Sequence, residues 1–264
     1  MTRPLIIDCF PFNNELDMLE CRLVELYQAV DRFVLVEADV DHQDHPKPYH
    51  YAENADRFAP WADKIVHVRA KDLPNVRDFP DPWAREHAQR EWIAEGLAQI
   101  GVGTDDIIMQ SDVDEIPRAL HARNIRPNGM VAFDQRLYCF AVDWQHPGGW
   151  RGTVAGRAGF IRSLGYQAFG RMRDSRNTVP SPPYLKDSGW HLSWLGGRDA
   201  NLAKLGSFCH PEIADRTLEG LRADSFLRQG WHVDGVRMDP VDVDDTWPRW
   251  IVERRCPANW FRPR

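Results

Sequence analysis

A chain of 264 residues and 30.5 kDa, 43% hydrophobic and 27% charged, is long and apolar enough to bury one sizeable core, which excludes a disordered or fibrous protein. Its net charge of −6 is uneven: residues 118–176 carry ten arginines, no lysine and only Asp134, Asp143 and Asp174, a local +7 that leaves −13 elsewhere. An all-arginine bias suits planar recognition of phosphate or carboxylate, and equally a basic face paired with the acidic remainder.

In chain order, residues 4–10 read as a first strand. Asn13 or Asn14 can then cap a helix whose apolar stripe is Leu16, Leu19, Leu23, Leu26, Tyr27 and Val30, at spacings of three and four. Residues 32–38 are a second strand running into a His- and Asp-rich loop at 39–47, and 64–68 a third. A helix over 83–100 leads to the apolar run 107–109. Strand and helix alternating in this way predict a parallel Rossmann-type α/β sheet flanked by helices. No Gly-x-Gly-x-x-Gly follows the first strand and no Walker lysine loop occurs, which argues against NAD, FAD and P-loop chemistry.

After Pro117, read as the first turn of a helix, the pattern changes. Residues 130–133 and 137–142 read as antiparallel strands, and 144–160, rich in Gly and Trp, as a loop region. Residues 188–194 alternate, with His191 and Ser193 on one face and Trp190, Leu192 and Trp194 on the other. Helices are expected over 199–207 and 216–229, with Cys209-His210-Pro211-Glu212 between them, and residues 231–264 read as an extended wrap or lid. The expectation is a single domain over 1–264, with a first half to about 117 and a second over about 118–230. Cysteines 9, 21, 139, 209 and 256 lack Cys-x-x-Cys spacing and read as free thiols of a reducing compartment. No run approaches membrane-spanning length, so the expected protein is soluble, cytoplasmic and without a membrane partner.

Most of the chemistry sits in Gln110-Ser111-Asp112-Val113-Asp114-Glu115-Ile116-Pro117, a knot of carboxylates at the end of the fourth strand. Open α/β sheets bind ligands at that end. Three acids in four residues repel unless a cation or donors stand between them, and a hard divalent ion such as Mn²⁺ or Mg²⁺ fits oxygen ligands. Acids that merely face water or cap the next helix are the plainer alternative.

The blocks Phe12 to Leu19 with Arg22, Trp83 to Arg90, Ser111 to Pro117, Gly189 to Trp194 and Lys204 to Glu212 resemble glycosyltransferase family 17, in the same order. The resemblance implies a GT-A-like fold and metal-dependent, inverting transfer of a sugar from a nucleotide donor, most plausibly UDP-linked, to a hydroxyl acceptor. It assigns Asp112 and Asp114 to the metal, with His191 as third contact to metal or diphosphate. Phe12, Asn13, Glu15 and Glu37 are candidate nucleotide contacts, and Arg90 and Lys204 candidate diphosphate contacts. Inversion needs a general base, for which Glu212 is first choice, Asp187 second and Glu115 third.

Other readings compete. The arginine-rich segment leaves open a modified base in DNA as acceptor, beside glycan, protein or lipid. Tryptophan platforms would also serve a carbohydrate-binding protein without catalysis. A metal-dependent phosphohydrolase of haloacid-dehalogenase type would want Thr or Val where Ile116 stands.

Overall fold

The computed structural model describes residues 3–207, 214–222 and 224–263. Its first half is the expected alternation: β1 (Ile6–Phe12), α1 (Leu16–Leu26), β2 (Arg32–Ala38), α2 (His50–Glu53), a 3-10 turn (Ala55–Trp61), β3 (Ile65–Ala70), α3 (Pro82–Glu91), α4 (Ile93–Ile100) and β4 (Ile107–Gln110). β3, β2, β1 and β4 lie side by side and all parallel. The period of two splits their side chains between two cores. Ile6, Phe10, Phe33, Leu35, Ile107 and Met109 pack with Leu19, Leu23 and Leu26 of α1 on one face. Ile7, Cys9, Val34, Val36 and Ile108 pack with Ile93 and Leu97 of α4 on the other. A Cβ at Gly96 would stand 2.4 Å from Val34 Cγ1, so only glycine lets α4 lie that close to β2.

The second half continues as β5 (Glu115–Pro117), α5 (Ala119–Asn124), β6 (Met130–Cys139), β7 (Trp144–Arg157), α6 (Ala158–Ser163), α7 (Ala168–Asp174), a 3-10 turn (Ser175–Asn177), β8 (Tyr184–Ser193), α8 (Gly197–Ser207), α9 (Ala214–Arg222), β9 (Asp239–Pro240), α10 (Arg249–Val252) and a last 3-10 turn (Ala258–Trp260). β7 runs antiparallel to β4 and carries the sheet on through β6 and β8 to β5 at the edge, with β9 paired to β7. The fold is thus α/β, with a Rossmann-type parallel half and mixed strands after it, as expected.

Several local expectations are corrected. β1 runs on through Pro11 to Phe12 because β4 ends opposite Cys9, leaving no ladder on that side for a proline to interrupt. The 83–100 helix is two helices, broken at Trp92, whose N–H bonds Gln89 three residues back at 3.2 Å. Pro117 closes an edge strand, where a missing donor is tolerated, and does not start a helix. Residues 144–157 form a long strand, not a loop. Part of their glycine serves packing, since a Cβ on Gly152 would meet Gln135 Oε1 at 1.7 Å. The segments 130–133 and 137–139 merge into β6, antiparallel to β7 but parallel to β8, and the strand ends before Phe140, at φ +67°. Trp194 leaves the face of Trp190 and Leu192: at φ +57° it turns into a third core with Phe140 and Phe226. The expected 216–229 helix ends at Arg222, and the tail is no uniform wrap, since β9 and α10 lie within it.

Among the described residues no helix is long and apolar enough to cross a membrane, and Cys9, Cys21, Cys139 and Cys256 are buried free thiols.

Candidate functional site

The acidic turn stands at the carboxyl end of β4, and one buried arginine holds it there. Arg22 of α1, fully buried, grips the equally buried Asp8 in mid-β1 through Nε at 2.7 Å and Nη2 at 2.6 Å. Its Nη1 donates to the carbonyls of Asp112 at 3.0 Å, Val113 at 3.2 Å and Glu115 at 2.9 Å, and Nη2 donates also to Ser111 Oγ at 2.7 Å. A rigid guanidinium fork suits this task, since a turn with three inward carbonyls needs donors at fixed angles. Glu115 locks the other side: its carboxylate accepts from the Asp112 N–H at 3.0 Å, Trp150 Nε1 at 2.6 Å and Arg176 at 2.7 Å. Fully buried and three times bonded, Glu115 is a structural carboxylate.

The two aspartates then differ in surroundings. Asp112 Oδ1 accepts from Arg90, which also bonds Glu86 one turn back on α3, and Arg173 of α7 stands 3.9 Å from Oδ2. Burial opposes its charge, but Arg90, then Arg173 and Arg176, outweigh that and hold the Asp112 carboxyl far below the usual range. Asp114 is held more loosely, with His191 Nε2 at 3.5 Å and Lys204 Nζ at 3.8 Å. Burial again opposes the charge, and His191 and then Lys204 overcome it, so its carboxyl is also lowered. The His191 ring lies 4.6 Å from that of Trp150, and its Nδ1 is buried without a hydrogen-bond partner.

The structure therefore brings Asp112, Asp114, His191, Lys204 and Arg90 together, with Arg90 fully buried as a strut beneath Asp112. Asp114 and His191, 3.5 Å apart, are the groups at this turn with the chemistry to hold a divalent ion. Asp112 joins them only by giving up Arg90. Phosphate oxygens and water would complete the shell of such an ion.

No hydrogen bond or ion pair joins the other candidates to the acidic turn among the described residues. Phe12 is 1% exposed, in the core. Glu15 occupies the N-cap position of α1, and its carboxylate takes the N–H groups of Asn13 and Asn14 at 3.0 Å, so neither asparagine is the cap. Asn13 Oδ1, in contrast, is buried and has no hydrogen-bond partner among the described residues. Glu37 is wholly buried among the Tyr51 N–H, His67 and Lys47. Asp187, four residues along β8 from His191 and so about 13 Å away, is paired with Arg118 and Arg136. Burial opposes its charge, and the two arginines outweigh that and lower its carboxyl. Glu212 lies outside the described residues.

Sequence reasoning did not give a role to Asp8 and Arg22, Glu86, Trp150, Arg173 or Arg176. Asp8 had a signal, an acid inside an apolar strand. Glu86 and Arg90 had i,i+4 spacing. The arginine-rich segment mostly serves the protein itself: Arg176 holds Glu115, Arg118 and Arg136 hold Asp187, Arg157 pairs with Asp105, and Arg162 bonds the Val102 carbonyl.

Taken together, these features define an α/β protein with a cluster of buried charges at the carboxyl ends of a parallel half-sheet. Residues 1–222 match the model of glycosyltransferase family 17, and the chain belongs to that family. The rat and human proteins named beta-1,4-mannosyl-glycoprotein 4-beta-N-acetylglucosaminyltransferase are each 26% identical over 286 residues, covering 90% of this chain and 50% of theirs. The chain thus spans about half the length of the curated relatives it matches. Solved structures overlay loosely. A 4-diphosphocytidyl-2C-methyl-D-erythritol synthase covers 78% of this chain and 99% of that one at 16% identity, with a TM-score of 0.45. The apo-form glycosyltransferase GlyE of Streptococcus pneumoniae covers 63% and 36% at 11% identity, with a TM-score of 0.34.

Proposed function

We propose that this chain moves a sugar, with inversion, from a UDP-linked donor such as UDP-N-acetylglucosamine or UDP-glucose to a hydroxyl acceptor. The observation that carries the reading is Asp114, held at the ligand end of β4 inside a family-17 chain, with only long contacts to His191 and Lys204. A divalent ion, Mn²⁺ or Mg²⁺, would be held by Asp114 and His191, with Asp112 beside them, and would offset the charge that develops on the departing diphosphate. Lys204 adds a positive charge on the same side, and Arg173 another beside Asp112. Asn13, with its unpartnered Oδ1 after β1, is the contact for a donor group on ribose or base. Arg22 and Glu115 fix the turn so that these groups need no rearrangement when the donor arrives.

The relatives' name supports transfer of N-acetylglucosamine to a mannosyl glycan. A nucleic-acid acceptor has less support, because the arginines that suggested it are spent on Glu115, Asp187, Asp105 and Val102. The test is thermal stabilisation by UDP and UDP-sugars with and without Mn²⁺. Stabilisation by UDP only with metal, lost in Asp114→Asn, is the expected result. Stabilisation by free sugars without metal, and none by nucleotides, would overturn it in favour of a carbohydrate-binding protein.

A further inference from the structure

A second polar cluster is built from β7 and the segment before β9. The chain over 230–238 closes on itself: Met238 donates to the Gly230 carbonyl at 2.7 Å, His232 to that of Val236 at 2.9 Å, and Gly235, at φ +86°, to that of His232 at 3.0 Å. β9 then pairs Pro240 with Trp144 and Asp239 with Gln145, which lays this turn beside His146. Asp234 joins the pieces. Its Oδ1 accepts from the Val236 N–H at 2.9 Å and lies 2.8 Å from His232 Nδ1, and its Oδ2 lies 3.1 Å from His146 Nε2.

Proton positions follow from these partners. The Gly148 N–H donates to His146 Nδ1 at 3.0 Å, so that nitrogen carries the lone pair and the ring proton sits on Nε2, facing Asp234. His146 therefore has no lone pair to give a cation between the three residues. Among the described residues this is the one group of three such side chains whose ligand atoms converge within 4.8 Å, and with the proton on His146 Nε2 its members join by hydrogen bonds. His232 Nδ1 lies 2.8 Å from the same carboxylate and 3.5 Å from the Asp234 N–H; the shorter contact sets the proton on Nδ1, toward the carboxylate, and leaves Nε2 as the basic nitrogen of the cluster.

The register places this nitrogen's element near the donor site. Tyr138 pairs with Gln145, and Leu137 with His191, so His146, in the bulge of β7 opposite Leu137, stands two strands from His191, about 10 Å. The charged and titratable groups around His232 are Asp234 on its own turn, His146 on β7 and His191 on β8, while Arg216 of α9 bonds the adjacent Val233 carbonyl at 3.2 Å. Burial pushes the His232 imidazole below its usual value, Asp234 pulls the other way, and His146 and His191 add to the lowering, so the ring is neutral near pH 7.

We propose that His232, oriented by Asp234, is the general base of the transfer, an assignment that rests on the glycosyl-transfer reading above. Nε2 takes the proton of the acceptor hydroxyl while its oxygen bonds the anomeric carbon of the donor. The bond from that carbon to the phosphate oxygen breaks, and its electron pair leaves on the diphosphate. Asp234 stabilises the imidazolium that results, and His146, through its N–H, keeps the carboxylate in place. His146 and Asp234 are positioning residues.

The test uses the full chain with Mn²⁺, UDP as binding probe, UDP-N-acetylglucosamine as donor and a mannosyl glycopeptide as acceptor, with donor hydrolysis read alongside transfer. His232→Gln is expected to keep UDP affinity within threefold and to lower kcat at least 100-fold, in the range of general-base catalysis. His232→Ala should regain activity with added imidazole, a rescue that a purely structural role would not give. Asp234→Asn should lower kcat about tenfold or more with UDP affinity kept. A His232→Gln variant with over a third of wild-type kcat would overturn the assignment. So would a tight equimolar Zn²⁺ site in the wild type that Asp234→Asn abolishes. Wild-type protein that neither binds UDP nor turns over donor sinks the glycosyl-transfer reading itself, and is told apart by the binding arm.

Discussion

Arg22→Met is the most informative structural perturbation. The side chain it replaces is fully buried against an equally buried Asp8, and removing one partner of such a pair leaves an uncompensated charge, at a cost of about 3–5 kcal/mol. The carbonyls of Asp112, Val113 and Glu115 and the Ser111 hydroxyl also lose a donor, so the upper part of that range applies. For a chain of this size that corresponds to a fall in Tm on the order of 10 °C or more. The assay is urea unfolding of Arg22→Met, Asp8→Leu and the double variant. The double variant should lose less than the sum of the singles by at least about 1 kcal/mol, because the second change removes the orphaned charge. It should not recover fully, since the turn carbonyls stay undonated. UDP–Mn²⁺ affinity should fall in every variant, as Asp112 and Asp114 lose their platform. An Arg22→Met cost under about 1 kcal/mol, or strict additivity, would refute the reasoning that this pair organises the site.

Two further outcomes are expected. Glu86, Asp112 and Asp114 have carboxyls held below their unfolded values; burial opposes each charge, and the neighbouring arginines, or His191 and Lys204, outweigh it. Their stabilisation is present above the unfolded carboxylate range, about pH 4, and is lost as pH falls further, because the unfolded chain then binds protons the folded one refuses. Glu25 and Glu91, raised by burial, act oppositely and subtract stability as pH rises through their folded values. A urea midpoint that drops steeply between pH 4.5 and 2.5 is expected, and a flat one would count against the assignment. Gly189→Ala places a Cβ 2.3 Å from the Ile116 carbonyl oxygen, backbone against backbone, and should cost about 1–3 kcal/mol by pushing β5 off β8; a loss under about 0.5 kcal/mol would mean the edge strand shifts freely.

Local chemistry made much of this protein legible in its sequence. The period-two splitting of residues 6–10, 33–36 and 107–109, and the three-and-four spacing of Leu16, Leu19, Leu23 and Leu26, are written into the chain, and they suffice for a parallel α/β half with its acids at the ligand end. Asp112 and Asp114 stood out because like charges at that spacing need company. What the sequence could not decide was the company. Whether Arg90 faces solvent or Asp112 depends on where α3 lies across the sheet. Glu37 becomes buried only when Tyr51, His67 and Lys47 close on it from other elements. The strand at 144–157 was hidden because its glycines answer Gln135 across the sheet and not the backbone of a loop. His146, His232 and Asp234 are 86 and 2 residues apart along the chain and meet only through the pairing of β9 with β7. Periodicity and charge repulsion act over a few residues and are determined by sequence alone. Which buried charges meet depends on how distant segments pack, and only the tertiary structure decided that.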